Sequence, residues 1–416
     1  MSVAHCRAEC RHGRRWSSVT DDRVKHRLRV LTIVDGVHGG GEALAWQIAQ
    51  RLDPDRFSST VCVTRWKPSP EAEKVLAGFR ASGIDFIGMD RTSRFDLRPW
   101  KMLVREMRER RIDILHTHKI GSNLWGALIA PRVPVPVFVA HEHSWSWQGK
   151  PHRKLVDRYL VARRASVFVA VSEADRRRMT SVEGIPPDKT RFIPNGIPQR
   201  TPTEASGVMR SQLGLRPNQP VVGMVANMLP AKAHDVLIRA AGLLRDTVPD
   251  VRVLIVGGDD SRRMQRPQLE ALVRELNLEA SVTFLGVRHD ALDVITVFDV
   301  AVLSSDREGS PIAVMEYMEA AKAVVATRVG GIPDMVVDGE TGLLVEPQNP
   351  ESLAAAIASL LQNPARARAM GEAGRERQLR EFSIEGTTRK VEELYEELFA
   401  AAVANGARTS RDMPNP

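Results

Sequence analysis

From Leu28 onward the chain alternates short apolar runs with stretches in which apolar residues recur every three to four positions. Residues 29–34, 59–64, 84–89, 113–118, 136–143, 166–172 and 190–194 are runs rich in β-branched residues and read as strands. Residues 42–52, 99–110 and 153–164 carry the helical period between them. Strands that are apolar throughout are covered on both faces, so the pattern predicts a parallel sheet between helices.

Pro194-Asn195-Gly196-Ile197-Pro198 interrupts this rhythm, and a new alternation starts at Pro220. Its strands are predicted at 220–226, 251–256, 281–285, 300–304 and 323–327, with helices at 232–245, 268–276 and 311–322. Residues 350–403 are helical by pattern. The fold class is therefore α/β, with two doubly wound Rossmann-like domains at 28–198 and 219–380 joined by a linker at 199–218. Ligands of such sheets collect beyond the carboxyl ends of the strands, so two of them predict a site in a shared cleft.

Composition narrows the class. A chain of 416 residues with 43% hydrophobic and 26% charged residues is neither fibrous nor largely disordered. Three cysteines, Cys6, Cys10 and Cys62, are too few to staple this length and point to a reducing compartment. No secretory signal is readable in the first thirty residues and no run approaches a membrane span, so a cytoplasmic protein is expected.

Of the net charge of +8, residues 1–29 supply five, with eight basic against three acidic side chains. Residues 1–27 are expected to be a disordered basic extension and 405–416 a frayed tail, and the body is too weakly basic to argue for nucleic acid. Trp145, Trp147, Lys150, His152, Arg153 and Lys154, and likewise Trp100, Leu103, Val104 and Met107 beside Arg98, Lys101, Arg105 and Arg108, have the composition of interfacial anchors. Both also fit crossover helices with a solvated outer face.

Candidate chemistry sits where strands end. After the run 300–304 come Glu308-Gly309-Ser310-Pro311-Ile312, with Glu316 beyond. Ser310 is suited to cap a helix that opens at Pro311, whose free amides and dipole make a seat for an anion. Glu308 and Glu316 then either reach one ligand at different depths or are solvated acids on a capped helix. Asn227 and Lys232 follow the strand at 220–226. Gly39-Gly40-Gly41 opens a helix after the first strand, and Glu42 in place of a lysine excludes a phosphate-binding loop of the Walker type. His116-Thr117-His118 and His141-Glu142-His143 close two further strands. Asp53-Pro54-Asp55 reads as a turn, so no metal site is expected there.

The pair Glu308 and Glu316, the segment Val329-Gly330-Gly331-Ile332-Pro333-Asp334 and Asn195-Gly196 resemble the retaining, nucleotide-sugar-dependent GT-B glycosyltransferases of family 4, over roughly residues 29–400. The resemblance implies a helix at 381–404 returning to the first domain. It implies that Glu316 holds the ribose of the donor and Glu308 its sugar, while the backbone at Gly309, Ser310, Pro311 and Ile312 meets sugar hydroxyls and diphosphate. Lys232 matches one half of the family's cationic clamp, but Asn227 stands where an arginine is common.

Gly40 and Gly41 would face donor phosphates and acceptor. His118 would contact the transferring sugar, with His141 and Glu142 on the acceptor side. The implied activity is glycosyl transfer to an acceptor hydroxyl in polysaccharide, glycolipid or envelope glycan synthesis, with a glycan or lipid-linked acceptor, no metal and no other cofactor. A nucleotide-sugar epimerase or hydrolase, and a non-catalytic nucleotide-sugar binder, are the alternatives. Peripheral contact with the inner face of the cell membrane would follow from a lipid-linked acceptor.

Overall fold

The computed structural model describes residues 27–37, 40–91, 96–143, 151–259 and 264–406. The basic extension through position 26, His38, Gly39, Trp145, Trp147 and Lys150 lie outside the described residues.

The first half forms strands β1 (Leu28–Val34), β2 (Phe57–Val63), β3 (Asp85–Gly88), β4 (Ile114–His118), β5 (Val137–Glu142), β6 (Val167–Ala170) and β7 (Thr190–Phe192). The second forms β8 (Val221–Val225), β9 (Arg252–Val256), β10 (Val282–Gly286), β11 (Val300–Leu303), β12 (Ala323–Thr327) and β13 (Gly342–Val345). Their orders are β3-β2-β1-β4-β5-β6-β7 and β10-β9-β8-β11-β12-β13, with every pairing parallel. In each sheet the order reverses once, between β1 and β4 and between β8 and β11. Those switch points are where crevices open in doubly wound sheets.

The strands are apolar because both faces are covered. Val222, Ile255, Val302 and Val325 are fully buried in the second core, as are Val30, Ile114 and Val139 in the first. Residues 199–218, expected as a linker, instead carry a helix at Ser206–Gln212, and Met209 and Leu215 pack into the second core. The short helix Pro230–Lys232 is a 3-10 turn, and the helix expected from 232 begins at His234. Helices Pro70–Ala81, Lys119–Ile129 and Glu173–Ser181 and strand β13 were not anticipated from periodicity. These segments are short or rich in Gly, Ser and charged residues, so tertiary contacts override a weak local pattern.

The last helix, Ile384–Ala404, leaves the second domain and lies on the first. Ile384, Val391, Leu394 and Tyr395 join the core of β1, β4, β5 and β6. The two chain crossings are stitched together where they meet: Ile197 donates its amide to Phe382, Ile384 donates to Ile197, and Thr387 Oγ1 donates to Pro194 at 3.0 Å. A side chain at Gly196 would collide with the Ser383 carbonyl, so only glycine lets the two crossings touch.

The amphipathic face at Trp100, Leu103 and Met107, offered by the sequence as a membrane anchor, is core. All three side chains are buried, and Trp100 stacks on Trp125 with centroids 4.3 Å apart. That face is therefore a crossover helix turned inward. No helix among the described residues is long and apolar enough to cross a membrane.

Candidate functional site

The candidate residues come from the four strands that flank the two switch points. Gly40 and Gly41 follow β1, His118 ends β4, Lys232 follows β8, and Glu308 to Glu316 follow β11.

In the second domain, Glu308 lies in the loop between β11 and helix Ile312–Glu319. Its carboxylate accepts from Lys232 Nζ and from Ser305 Oγ, each at 2.6 Å, and the side chain is 8% exposed. The lysine and acid expected to grip separate parts of a ligand are paired with each other. Burial makes that pairing necessary, because a carboxylate left alone here is costly. The loop shape comes from glycines: Gly330, at φ 55°, lies on the Glu308 carbonyl, and Gly331 donates to the Gly309 carbonyl at 2.9 Å. Any side chain at either position would strike that backbone.

The helix after this loop starts one residue later than expected. Pro311, in extended backbone with φ −71° and ψ 118°, is itself the cap, and the Ser310 side chain does not cap. The Ser310 carbonyl instead accepts from Asn195 Nδ2 of the first domain at 3.4 Å. Glu316 projects from this helix and pairs with Arg200, whose guanidinium also holds Glu319; each contact is 3.0 Å. Burial raises the Glu316 carboxyl above its ordinary value against the pull of Arg200. Asn227 is exposed, and its amide oxygen accepts from the Gly258 backbone at 3.0 Å, so it ties two loops together.

In the first domain, helix Gly40–Arg51 begins at the gap. A Cβ on Gly40 would lie 2.7 Å from the Ile312 side chain, and one on Gly41 would lie 2.9 Å from the His143 ring. The amino ends of two helices, one from each domain, therefore converge, and glycine permits the approach. Lys119 Nζ reaches Glu42 at 3.0 Å beside them.

Behind Gly41 four imidazoles cluster. Residues two apart on a strand share a face, so His116 and His118 point the same way from β4, and His141 and His143 from β5. The register sets His118 opposite His141. His118 Nδ1 lies 2.8 Å from His143 Nε2, and His116 Nε2 lies 3.2 Å from His141 Nδ1. All four are buried, and burial lowers their pKa values, His141 to about 3, with repulsion from neighbouring imidazoles adding to it at His116, His118 and His143. They are neutral at physiological pH.

His116, His118 and His141 could also hold a metal ion, since one ring nitrogen of each lies within 4.8 Å of the others. Among the described residues, no carboxylate or thiolate joins that group to balance a cation. Glu142, expected on the acceptor side, faces away from the histidines by the same alternation. It is buried near Asp157 and Glu183, and burial first and those acids second push its carboxyl up.

Two participants, Arg200 and Tyr395, have no site role in the sequence reading, and Asn195 and His143 appear in it only within their motifs, with no role of their own. A His-x-His pair on each of two adjacent strands was a readable signal for His143. Arg200 carried none, since its partners lie more than a hundred residues away.

Comparison with known proteins agrees with this architecture. Residues 38–200 match the family described as Glycosyltransferase Family 4, and residues 207–377 match glycosyl transferases group 1. A D-inositol 3-phosphate glycosyltransferase of Kineococcus radiotolerans is 32% identical over 293 residues, 63% of this chain and 66% of its own length. A GDP-mannose-dependent alpha-(1-6)-phosphatidylinositol monomannoside mannosyltransferase of Mycolicibacterium smegmatis is 33% identical over 256 residues, covering 56% of this chain and 63% of that protein. The alignments thus span just under two thirds of these relatives.

The Anabaena protein HepE, crystallised with UDP, has the same fold at a TM-score of 0.77 and 22% identity, covering 89% of this chain and 100% of HepE. With two parallel sheets, a returning helix and family matches on both domains, the chain belongs to the GT-B glycosyltransferases of family 4.

Proposed function

We propose that this protein moves a glycosyl unit from a nucleoside-diphosphate sugar to an acceptor hydroxyl, with retention of anomeric configuration. The observation that carries the reading is the meeting of two helix amino ends, at Gly40 and Ile312, beside Lys232. Free amides and a cation on one small gap suit a diphosphate. HepE was crystallised with UDP, and the Mycolicibacterium relative is named as GDP-mannose-dependent, which supports a nucleotide-sugar donor.

On this reading Glu316 accepts from the ribose hydroxyls and Glu308 from the sugar, while His118 orients the sugar from the opposite wall. The bond from anomeric carbon to diphosphate oxygen breaks as the bond to the acceptor oxygen forms on the same face. The acceptor proton passes to the departing diphosphate. Lys232 and the helix amides stabilise the charge developing there, so the reaction needs no metal.

The phosphatidylinositol-derived name of that relative favours a glycolipid acceptor at a membrane surface. Leu155 and Tyr159, one turn apart, are 55% and 51% exposed, with Arg158 and Arg163 against the Tyr159 ring. That face, on the helical segment 151–164, suits an anionic lipid surface at the inner side of the cell membrane.

One assay tests the whole reading: turnover of UDP- and GDP-sugars with chelator present, with lipid-linked acceptors in anionic vesicles or soluble analogues, and with the product anomer read by NMR. Retained product, faster with vesicles, is expected. Release of free sugar or an epimer at full rate without acceptor would favour a hydrolase or epimerase, and tight binding without turnover a sensor.

A further inference from the structure

Helix Ile384–Ala404 brings Tyr395 against the base of the histidine cluster. The ring stands edge-on to Phe57 and to His116, and its hydroxyl lies 2.6 Å from His116 Nδ1. Among the described residues that hydroxyl has no other partner. His116 Nε2 then meets His141 Nδ1 at 3.2 Å, and His141 Nε2 is buried with no partner.

Proton counting gives this chain a direction. Each imidazole is neutral and carries one ring proton. If His116 held its proton on Nδ1, it would donate to the phenol oxygen, and the phenol proton would be buried without an acceptor. An orphan of that kind carries the full desolvation penalty of the group. The opposite polarity moves the unpaired proton out of the core around Tyr395 to His141 Nε2, on a ring whose centroid is 5.0 Å from that of His118, where a ligand oxygen can accept it. Tyr395 donates to His116 Nδ1, His116 donates from Nε2 to His141 Nδ1, and the single proton of His141 is left on Nε2.

We propose that Tyr395 is a positioning residue: acting through His116, it fixes His141 as the Nε2–H tautomer and so presents one directed hydrogen-bond donor in the wall behind His118. The ligand group that suits it is a lone-pair oxygen of a sugar or acceptor hydroxyl, which needs a donor and no charge. The proposal rests on the transferase reading for the identity of that oxygen, although the relay itself does not.

The helix that supplies Tyr395 is anchored at the domain crossing, where Ile384 and Thr387 bond to Ile197 and Pro194. About three turns separate that anchor from Tyr395. The donor is thereby set by the element that joins the domains.

Long-range 1H–15N spectra of the histidine-labelled, ligand-free chain, assigned with a His141→Gln variant, read the tautomer directly. His141 protonated on Nε2 is expected; protonation on Nδ1 overturns the proposal, and this measurement needs neither substrate nor a folded Tyr395 variant. In Tyr395→Phe the edge-on packing is kept and the donor is lost. Mixed His141 tautomers are expected there, with kcat reduced about tenfold to a hundredfold, the usual scale for loss of an orienting outer partner, and little change in donor KM. An unchanged tautomer with unchanged kcat also overturns it. A chain showing the tautomer but transferring no sugar would sink the transferase reading and leave the relay standing.

Discussion

The two sheet edges that meet at the gap occupy equivalent places in equivalent folds, yet are built from opposite chemistry. The edge of the second domain is made of ion pairs: Lys232 with Glu308, and Arg200 with Glu316 and Glu319. The edge of the first domain is dominated by neutral, stacked imidazoles, with the ion pair of Lys119 and Glu42 beside them. Topology decides where a ligand is met, and the loops decide what can be met there. The charged edge suits a diphosphate that can exchange partners with an existing ion pair. The neutral edge suits hydroxyls, which need donors and acceptors in fixed directions and no net charge.

The sharpest way to break this contrast is to discharge the second edge. Lys232→Ala removes the cation assigned to the proposed diphosphate and leaves Glu308 with Ser305. A fall in kcat of about a hundredfold to a thousandfold is expected, the scale of one lost electrostatic donor in a transition state. Steady-state rates at saturating donor measure it. Turnover close to that of the parent chain would show that Lys232 serves Glu308 and not the reaction.

Glu316→Gln is the next smaller perturbation. It removes a buried charge that Arg200 holds in place, and it weakens acceptance from paired ribose hydroxyls. Calorimetric titration with UDP or GDP should show affinity reduced about tenfold, since hydrogen bonds to a charged group are worth about 1.5–3 kcal/mol. Equal affinity in the two chains would move the ribose elsewhere.

The same contrast explains what was legible beforehand. Both sheets were visible because strands buried on two faces are apolar without interruption, as in Val221–Val225 and Val300–Leu303. The strand order was not, because pairing is set by crossover helices that leave no mark in the strands. Glu308, Glu316 and Lys232 could be located because each follows a strand end and because the motif resembles a known family. Their mutual pairing could not, since 76 residues separate Lys232 from Glu308. Arg200, in a stretch that looks like linker, and Tyr395, one apolar-face residue among several on its helix, acquire their roles only from tertiary contacts. Trp100 left two readings open for the converse reason: an amphipathic helix has the same pattern whether it faces lipid or a protein core.

The smallest effect concerns stability, and it separates the two faces of β5. On one face lie His116, His118, His141 and His143. On the other lie Glu142, Asp157 and Glu183, where burial and then repulsion from Glu183 push the Asp157 carboxyl up to about 7. A histidine held neutral to about pH 3 binds its proton more readily in the unfolded chain, where its pKa is about 6.5. Its burial therefore costs stability progressively as pH falls from about 6.5 toward 3.

Asp157 has the opposite sign. The folded state keeps its proton above pH 3.8 while the unfolded chain releases it, so stability is lost as pH rises from 3.8 toward about 7. Between about pH 4 and 6.5 the two faces oppose each other. Denaturant unfolding across that window should show His141→Gln gaining on the parent chain as pH falls and Asp157→Asn gaining as pH rises. Each difference should be on the order of 1 kcal/mol, about one pKa unit's worth. Parallel stability curves for both variants would mean that the two faces do not hold their groups neutral, and the distinction between a charged and an uncharged edge would fail with them.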